Sequence, residues 1–481
     1  MFNSKLQVDR RAVAALVLCF LVSLPAVTPR VSASDEIEYF AFLRSLWFDH
    51  DLSFDNEYRH FYEQGRAQSS GFRETFLERT TETGLRVNFA TIGCALAWAP
   101  FYAAADLSVR AANRAGFAIP ADGYSAPYIT AVCLGSAVYG LLALILALRI
   151  VRQVGQPAAN GSGSWVAQAG PAVIVWAGTP LFFYMYLAPA FSHAVSAFAV
   201  AAFVATWLVV RRKWSAGGVA GLGALAAFMA MVREQDLFFV IGPAIDGAWT
   251  ALSRLRARRH NESVPERAHV LRTVLVAAAT FAVVYAPQAI AYLTLNGRVF
   301  PSRLVTRKMN WAAPHALQVL GSPEHGLFIW TPLAVLALAG LVVLAWRAGD
   351  TRRLAVCLLL MVAAQVYVAG SVESWTVAGA FGQRRFVGLT VLLVVGLAAL
   401  ADAVRLKAGR AVLLGSVLVC VWWNIGLTIQ FGAGLMDRQR LEPARNAYTT
   451  FVTLPRTLPS LAYRFLFDRA SFYEGSRTES P

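Results

Sequence analysis

The sequence predicts an all-α, polytopic membrane bundle of about eleven spanning helices, with its N-terminus inside, its C-terminus outside and a long first outer loop. Composition is the first reason. Of 481 residues 57% are hydrophobic and 15% charged, with mean hydropathy +0.51, whereas a soluble domain carries about 25% charged residues. Apolar runs near the length needed to cross hydrocarbon are the second. The distribution of Lys and Arg is the third. The net charge of +15 is scattered in small clusters between apolar runs and forms no basic face, which excludes nucleic acid as a partner.

Taken in order, the spans fall at 11–32, 128–149, 169–188, 191–210, 216–233, 236–253, 273–294, 327–346, 354–370, 387–403 and 411–431. The connections then alternate in charge. Those predicted to be cytoplasmic carry Lys5, Arg10 and Arg11; Arg149 and Arg152; Arg211, Arg212 and Lys213; Arg254, Arg256, Arg258, Arg259, Arg267 and Arg272; Arg347, Arg352 and Arg353; and Arg405, Lys407 and Arg410. The outer connections near 189, 234 and 372 are almost free of bases apart from Arg233, Arg384 and Arg385, as the positive-inside rule requires. Residues 90–108 are apolar enough to cross, yet a crossing there would invert every later loop. They read as a re-entrant or interfacial outer helix, turned back by Pro100 and the following Asn113 to Pro127 loop with its Gly and Pro punctuation.

Residues 1–32 thus form the first span, 33–127 the first outer loop with surface and re-entrant helices, 128–431 the transmembrane bundle and 432–481 an outer, Arg-rich tail. The first span reads as retained and kinked at Pro25 and Pro29, although Arg10, Arg11, the apolar run to Val27 and the small residues Val31, Ser32 and Ala33 also fit a cleavable signal peptide. Cys19, Cys94, Cys133, Cys357 and Cys420 sit in or beside apolar stretches without metal-ligand spacing and read as core residues. No Walker motif or fixed-period repeat occurs, which argues against an ATP-driven pump.

Eleven of the 28 acidic residues lie between Ala33 and Asn88. The segment opens Ser34-Asp35-Glu36-Ile37-Glu38, and Ile37, Phe40, Leu43, Leu46 and Trp47 recur at helical spacing, so it reads as an amphipathic helix along the membrane surface. A carboxylate there can take a proton from an attacking hydroxyl or amine, or hold a divalent metal on a donor phosphate; Asp35 with Glu38 three residues on equally fits a capping box.

Cations face it from other outer connections: Arg233 in Arg233-Glu234-Gln235-Asp236, Arg303, Arg307 and Lys308 after Asn296, and Arg384 with Arg385 beside Gln383. Arg forks suit phosphate oxygens. The structural alternatives are pairing of Arg233 with Glu234 or Asp236 and snorkelling of Arg384 and Arg385. His193 and His325 are the histidines placed to meet the site, but no spacing such as HExxH supports a zinc centre. Trp98, Tyr102, Phe182, Phe183, Tyr184, Tyr186, Trp311, Trp330 and Trp375 read mostly as an interfacial belt.

The Asp35-Glu36 pair just after the first span resembles the first-loop motif of the GT-C superfamily of membrane glycosyltransferases, especially the dolichyl-phosphate-mannose protein mannosyltransferases and the lipid A aminoarabinose transferases. The eleven-span layout is similar to the former. Gly326-Leu327-Phe328-Ile329-Trp330-Thr331-Pro332 and Phe381-Gly382-Gln383-Arg384-Arg385-Phe386 look similar to stretches in bacterial members of undefined acceptor. The resemblance covers the chain through about residue 431; the proline-rich start of the second helix and a large soluble C-terminal domain are missing. It implies a polyprenyl-phosphate sugar donor, Asp35 as base, Glu36 as its neighbour in the motif, and a lipid, glycan or protein acceptor at the outer face of a bacterial inner membrane.

The expected function is therefore sugar transfer from a polyprenyl-phosphate donor. Asp35 and Glu36 form the catalytic pair, Arg233, Arg384 and Arg385 bind the donor phosphate, and Glu38, His193, His325 and Gln383 are possible substrate contacts. A transporter or flippase of a lipid-linked or anionic substrate, and a non-catalytic subunit of an envelope polysaccharide system, are the competing readings. Transporters commonly show paired halves with broken helices, and no such symmetry is legible.

Overall fold

The computed structural model describes residues 8–67, 69, 71–154, 165–257, 265–377, 379–469 and 471. Lys5, Arg258, Arg259 and His260 lie outside the described residues, as do the side chains of Arg254, Arg256, Arg267 and His269. In chain order the helices are α1 (Arg10–Ser23), α2 (Ser34–Arg44), α3 (Asp55–Glu63), α4 (Gly93–Arg114), α5 (Ala126–Val154), α6 (Trp165–Ala177), α7 (Pro180–Tyr186), α8 (His193–Val210), α9 (Ala216–Val232), α10 (Ile241–Ala257) and α11 (Pro265–Asn296). After a long irregular connection come α12 (Leu333–Ala345), α13 (Gly349–Ser371), α14 (Thr390–Ala403), α15 (Lys407–Gly432) and α16 (Leu454–Phe467).

Among the described residues six helices are long and apolar enough to cross a membrane, and seven if the bent pair α6–α7 is one span. The chain is a multi-pass membrane protein. The other expected spans are shorter helices, because several end in prolines or tight turns. Pro25 closes α1 in a single 3-10 turn after only 14 helical residues, so the predicted span 11–32 is helical only in its first part. Residues 327–346 break at Thr331-Pro332 and leave a 13-residue α12. The α6–α7 axis bends by 73°. Such a break frees carbonyls that lipid cannot satisfy, and Asn424 of α15 donates to Ala177 O at 2.8 Å and Thr179 O at 3.1 Å.

Two expectations for the first loop change. The α2 helix is not a surface helix with one wet face: Ile37, Phe40, Ala41, Phe42 and Leu43 are all buried, and so are Glu36 and Glu38. It is packed under α3 and α4. Residues 93–114 form one uninterrupted helix that passes through Pro100, so the chain turns back in the loop after it and not at the proline. It runs antiparallel to the start of α5, with Trp98 Nε1 donating to Ser136 Oγ at 2.8 Å and Tyr128 Oη to Asp106 Oδ1 at 2.7 Å. Most of the expected aromatic belt is core: Trp98, Tyr102, Tyr184, Tyr186 and Trp330 are at most 1% exposed, whereas Trp311 is 44% exposed.

Without a hydrophobic drive between helices in lipid, close packing of small residues holds spans together. The α12–α14 crossing is the tightest example. A Cβ on Gly340 would lie 1.8 Å from Gly396 O, and one on Gly396 would lie 2.0 Å from Ala337 O. Gly340→Ala is therefore expected to destabilise the fold by at least the ~1–3 kcal/mol of ordinary overpacking, read as a lower melting temperature in detergent. The lipid-facing Val342→Ala on the same helix should leave the melting temperature nearly unchanged.

The two poles of the bundle differ. At the pole predicted to be cytoplasmic, fully buried Asp246 accepts from Arg211 Nε at 2.8 Å and from Arg211 Nη2 at 3.0 Å, and pairs with Arg353 at 2.8 Å, while Asp350 takes the other side of Arg211 at 2.6 Å. These forks tie the ends of α8, α10 and α13 with charges that cancel locally. At the opposite pole two guanidiniums, those of Arg233 and Arg385, have no carboxylate at hydrogen-bond distance among the described residues.

Candidate functional site

Helix α2 begins without a side-chain cap at Ala33. Instead Glu36 reaches back, its Oε2 accepting from Ser32 N at 2.9 Å and Ala33 N at 3.0 Å. The expected partner of a capping box, Glu38, does not take this role; its Oε1 accepts from Phe89 N at 2.5 Å. Glu36 is thus committed to the helix start, and Asp35, one residue earlier and 44% exposed in its side chain, is left to face Arg384, whose Nη1 donates to Asp35 Oδ2 at 2.6 Å. This bond joins residues 349 positions apart.

Arg384 opens the 3-10 turn Arg384–Leu389 that leads into α14. Gly382 just before it has φ +57°, and a Cβ there would meet Pro180 Cγ at 3.0 Å. A left-handed residue without a side chain lets this turn fold against α7.

Arg233 follows α9 in extended backbone and makes neither of the expected pairs. Its Nη1 donates to His193 Nδ1 at 2.8 Å and to Arg384 O at 3.2 Å, and its Nη2 to Gln235 Oε1 at 3.1 Å. Asp236 accepts from Ser196 Oγ at 2.6 Å, and Glu234 from Tyr292 Oη at 2.5 Å. Arg385 donates to Ser374 O at 2.8 Å and Ser374 Oγ at 3.2 Å, and does not snorkel. Of three clustered guanidiniums, Arg384 alone has a carboxylate at hydrogen-bond distance among the described residues. Neutral oxygens and a ring nitrogen hold the other two.

Gln235 also donates to Arg385 O at 2.7 Å, and Gln365 donates to Gln235 O at 3.0 Å, so two amides fix the Arg233 turn to the Arg384 turn. Sequence reasoning missed Gln365, Ser374 and the role of Gln235. A signal existed for the first, since an amide inside the predicted span 354–370 is a polar group at membrane depth that requires a partner. His325 and Gln383 are brought to this pole as supports. His325 Nε2 donates to Ala380 O at 2.8 Å and its ring stacks on Trp330 at 4.8 Å, while Gln383 donates to Trp375 O at 3.0 Å. Both fasten the 372–386 loop.

Burial shapes the acids of α2. It pushes the Glu36 carboxyl up to about 7 and, together with the nearby Asp35 charge, the Glu38 carboxyl up to about 8. A carboxyl that holds its proton more tightly when folded stabilises the fold fully below its ordinary value of 4.5, and that contribution is lost as pH rises through about 8. Glu38→Gln keeps the acceptor for Phe89 N and removes the titration. Melting curves between roughly pH 5 and 9 should show a shallower decline for that variant than for the wild type.

Several of the remaining loop acids are paired within the loop. Arg44 pairs with Asp49 and, at 2.9 Å, with Glu57, and Asp55 binds Arg59 at 2.5 Å and Arg86 at 2.7 Å. Arg303 approaches Glu82 at 3.7 Å, so its loop meets the acidic loop without joining the Asp35 group. Among the described residues no group of three His, Cys, Asp or Glu side chains is placed to hold a metal ion. An apolar cavity of about 620 Å³ lies between α8, α9, α10 and α11, lined by Phe203, Leu222, Ala226, Leu237, Ala244 and Phe281 among others. It contains none of the charged residues above, and Leu237 lies one turn beyond Arg233 in the chain.

Fold and site together define a multi-pass helical membrane protein with a carboxylate and several under-neutralised guanidiniums at one end of its bundle. No protein-family model matches the sequence, and no curated protein matches it. Among solved structures the fold is similar to that of ArnT from Cupriavidus metallidurans bound to undecaprenyl phosphate, with 13% identity and a TM-score of 0.50 over 96% of this chain and 73% of that one. The similarity is one of fold, and it extends over nearly the whole chain.

Proposed function

We propose that this chain is a GT-C type glycosyltransferase that moves a sugar from a polyprenyl-monophosphate donor to a hydroxyl or amine of an envelope lipid, glycan or protein at the outer face of a bacterial inner membrane. The observation that carries the reading is the bond from Arg384 to Asp35 beside Arg233 and Arg385, which sets a base and a phosphate cradle side by side.

In the step assigned here, an acceptor oxygen or nitrogen attacks the anomeric carbon as the bond from that carbon to the phosphate oxygen breaks. Its electron pair leaves with polyprenyl phosphate, and the acceptor proton passes to Asp35. The leaving phosphate gains negative charge in the transition state, where preplaced guanidiniums lower the barrier most. Arg233 and Arg385 supply that charge because nothing at bonding distance cancels it. The apolar cavity below Leu237 is lined for an isoprenoid chain rather than for a sugar. That the similar solved structure carries undecaprenyl phosphate supports the donor class.

Undecaprenyl phosphate added to purified protein is expected to raise its melting temperature. The double variant Arg233→Gln with Arg385→Gln should lose that shift. An equal shift in the double variant, or none in the wild type, would count against the assignment. Flux of a lipid-linked sugar in proteoliposomes with no covalent product would favour a transporter.

A further inference from the structure

We propose that His193 is a positioning residue for the anion site: a neutral imidazole whose Nδ1 lone pair aims Arg233 without cancelling its charge. This rests on the reading of Arg233 as a phosphate ligand.

Arginine is always protonated and has no lone pair to offer, so at 2.8 Å the guanidinium donates and His193 Nδ1 accepts. The bond fixes the proton on Nε2 and leaves the ring uncharged. His193 is 3% exposed, stacked on Phe191 at 5.6 Å with Tyr184 edge-on at 4.2 Å, so it cannot swing to water. Its Nε2–H has no partner among the described residues. A buried donor left unsatisfied is a local cost, and the fold accepts it while keeping Nδ1 on Arg233.

A carboxylate at this position would bind Arg233 more strongly but would neutralise it, as Asp35 does for Arg384. An imidazole lone pair holds the head and leaves the full positive charge for an anion. The charged and titratable groups around the ring are Arg233 from the turn after α9, Arg384 and Arg385 from the turn before α14, Tyr184 from α7 and Tyr39 from α2; one turn further along α8, Asp236 is bonded to Ser196. Protonation of the ring would set an N–H against an N–H and add a charge to three guanidiniums. The site therefore favours the neutral ring that holds Arg233.

Binding of undecaprenyl phosphate to the full chain in detergent tests this. His193→Ala should weaken binding roughly ten- to a hundredfold, the worth of a hydrogen bond to a charged group. His193→Asn, whose Oδ1 takes the place of Nδ1, should restore most of it. Equal binding by wild type and His193→Ala, or failure of Asn to rescue, would overturn the proposal. A second measurement separates it from the donor assignment: ¹⁵N NMR of histidine-labelled protein, with His193 identified by the Asn variant, should show an unprotonated Nδ1. If the wild type does not bind undecaprenyl phosphate the donor class is wrong, and a protonated Nδ1 would sink the His193 role whatever the donor.

Discussion

Asp35→Asn is expected to reduce sugar transfer by about 10²–10⁴-fold, the usual worth of a positioned general base, while undecaprenyl phosphate binds at least as tightly as to the wild type. Asparagine has the shape of aspartate and keeps an oxygen for Arg384 Nη1, now 2.6 Å from the carboxylate, so folding is preserved. It cannot take a proton. It also removes a negative charge from beside the phosphate cradle, and a dianionic ligand then meets less repulsion. Loss of turnover with retained or improved binding is a combination that damaged packing does not produce. Glu36→Gln makes the control: Glu36 is engaged by Ser32 N and Ala33 N, glutamine offers the same acceptor, and transfer should continue. Radiolabelled or mass-resolved product formation reads both variants, and undiminished transfer by Asp35→Asn would remove it from the mechanism.

Much of this site was legible because charge in a lipid-dissolved chain is rare and has to be placed for a reason. Asp35, Arg233, Arg384 and Arg385 stood out against 57% hydrophobic residues and were assigned to one pole by loop polarity alone. Who bonds to whom was not legible. Adjacent residues of α2 diverge in role because a helix turns about 100° per residue: Glu36 points back at the helix start, Glu38 points into the protein and Asp35 points outward. The sequence pattern does not choose between Asp35 and Glu36 for the cap.

His325 and Gln383 carried the same signature as functional residues, polar groups at a predicted outer boundary, yet they fasten the 372–386 loop. Gln365 and Asn424 hid inside apolar runs, where an amide reads as a tolerated exception until the turn or helix break it satisfies is seen. Breaks at Pro25, Pro332 and the α6–α7 bend shortened spans whose hydropathy looked continuous, since hydropathy records solvent and not backbone direction.

Arg384→Gln should be nearly as severe as loss of the base, lowering transfer by roughly 10²–10³-fold, the cost of removing one preorganised donor to a developing anion. Two losses coincide in this variant. Once Asp35 takes the acceptor proton it no longer neutralises Arg384, so the leaving phosphate loses a charged fork in this variant, and Asp35 loses the cation that fixes its orientation. Arg384 also stands over the Phe191 ring at 5.4 Å, a contact that orients the guanidinium plane. Lysine restores the charge but neither the fork nor the stacking, so Arg384→Lys should recover only part of the rate and leave the Michaelis constant for the donor raised. The backbone carbonyl of Arg384 still accepts from Arg233 Nη1 at 3.2 Å in both variants, so Arg233 stays placed and folding is not the cause of the loss. Steady-state kinetics on proteoliposomes with the two variants would decide between the roles: equal defects in Gln and Lys would locate the importance of Arg384 in geometry, and full recovery by Lys would make it a charge alone.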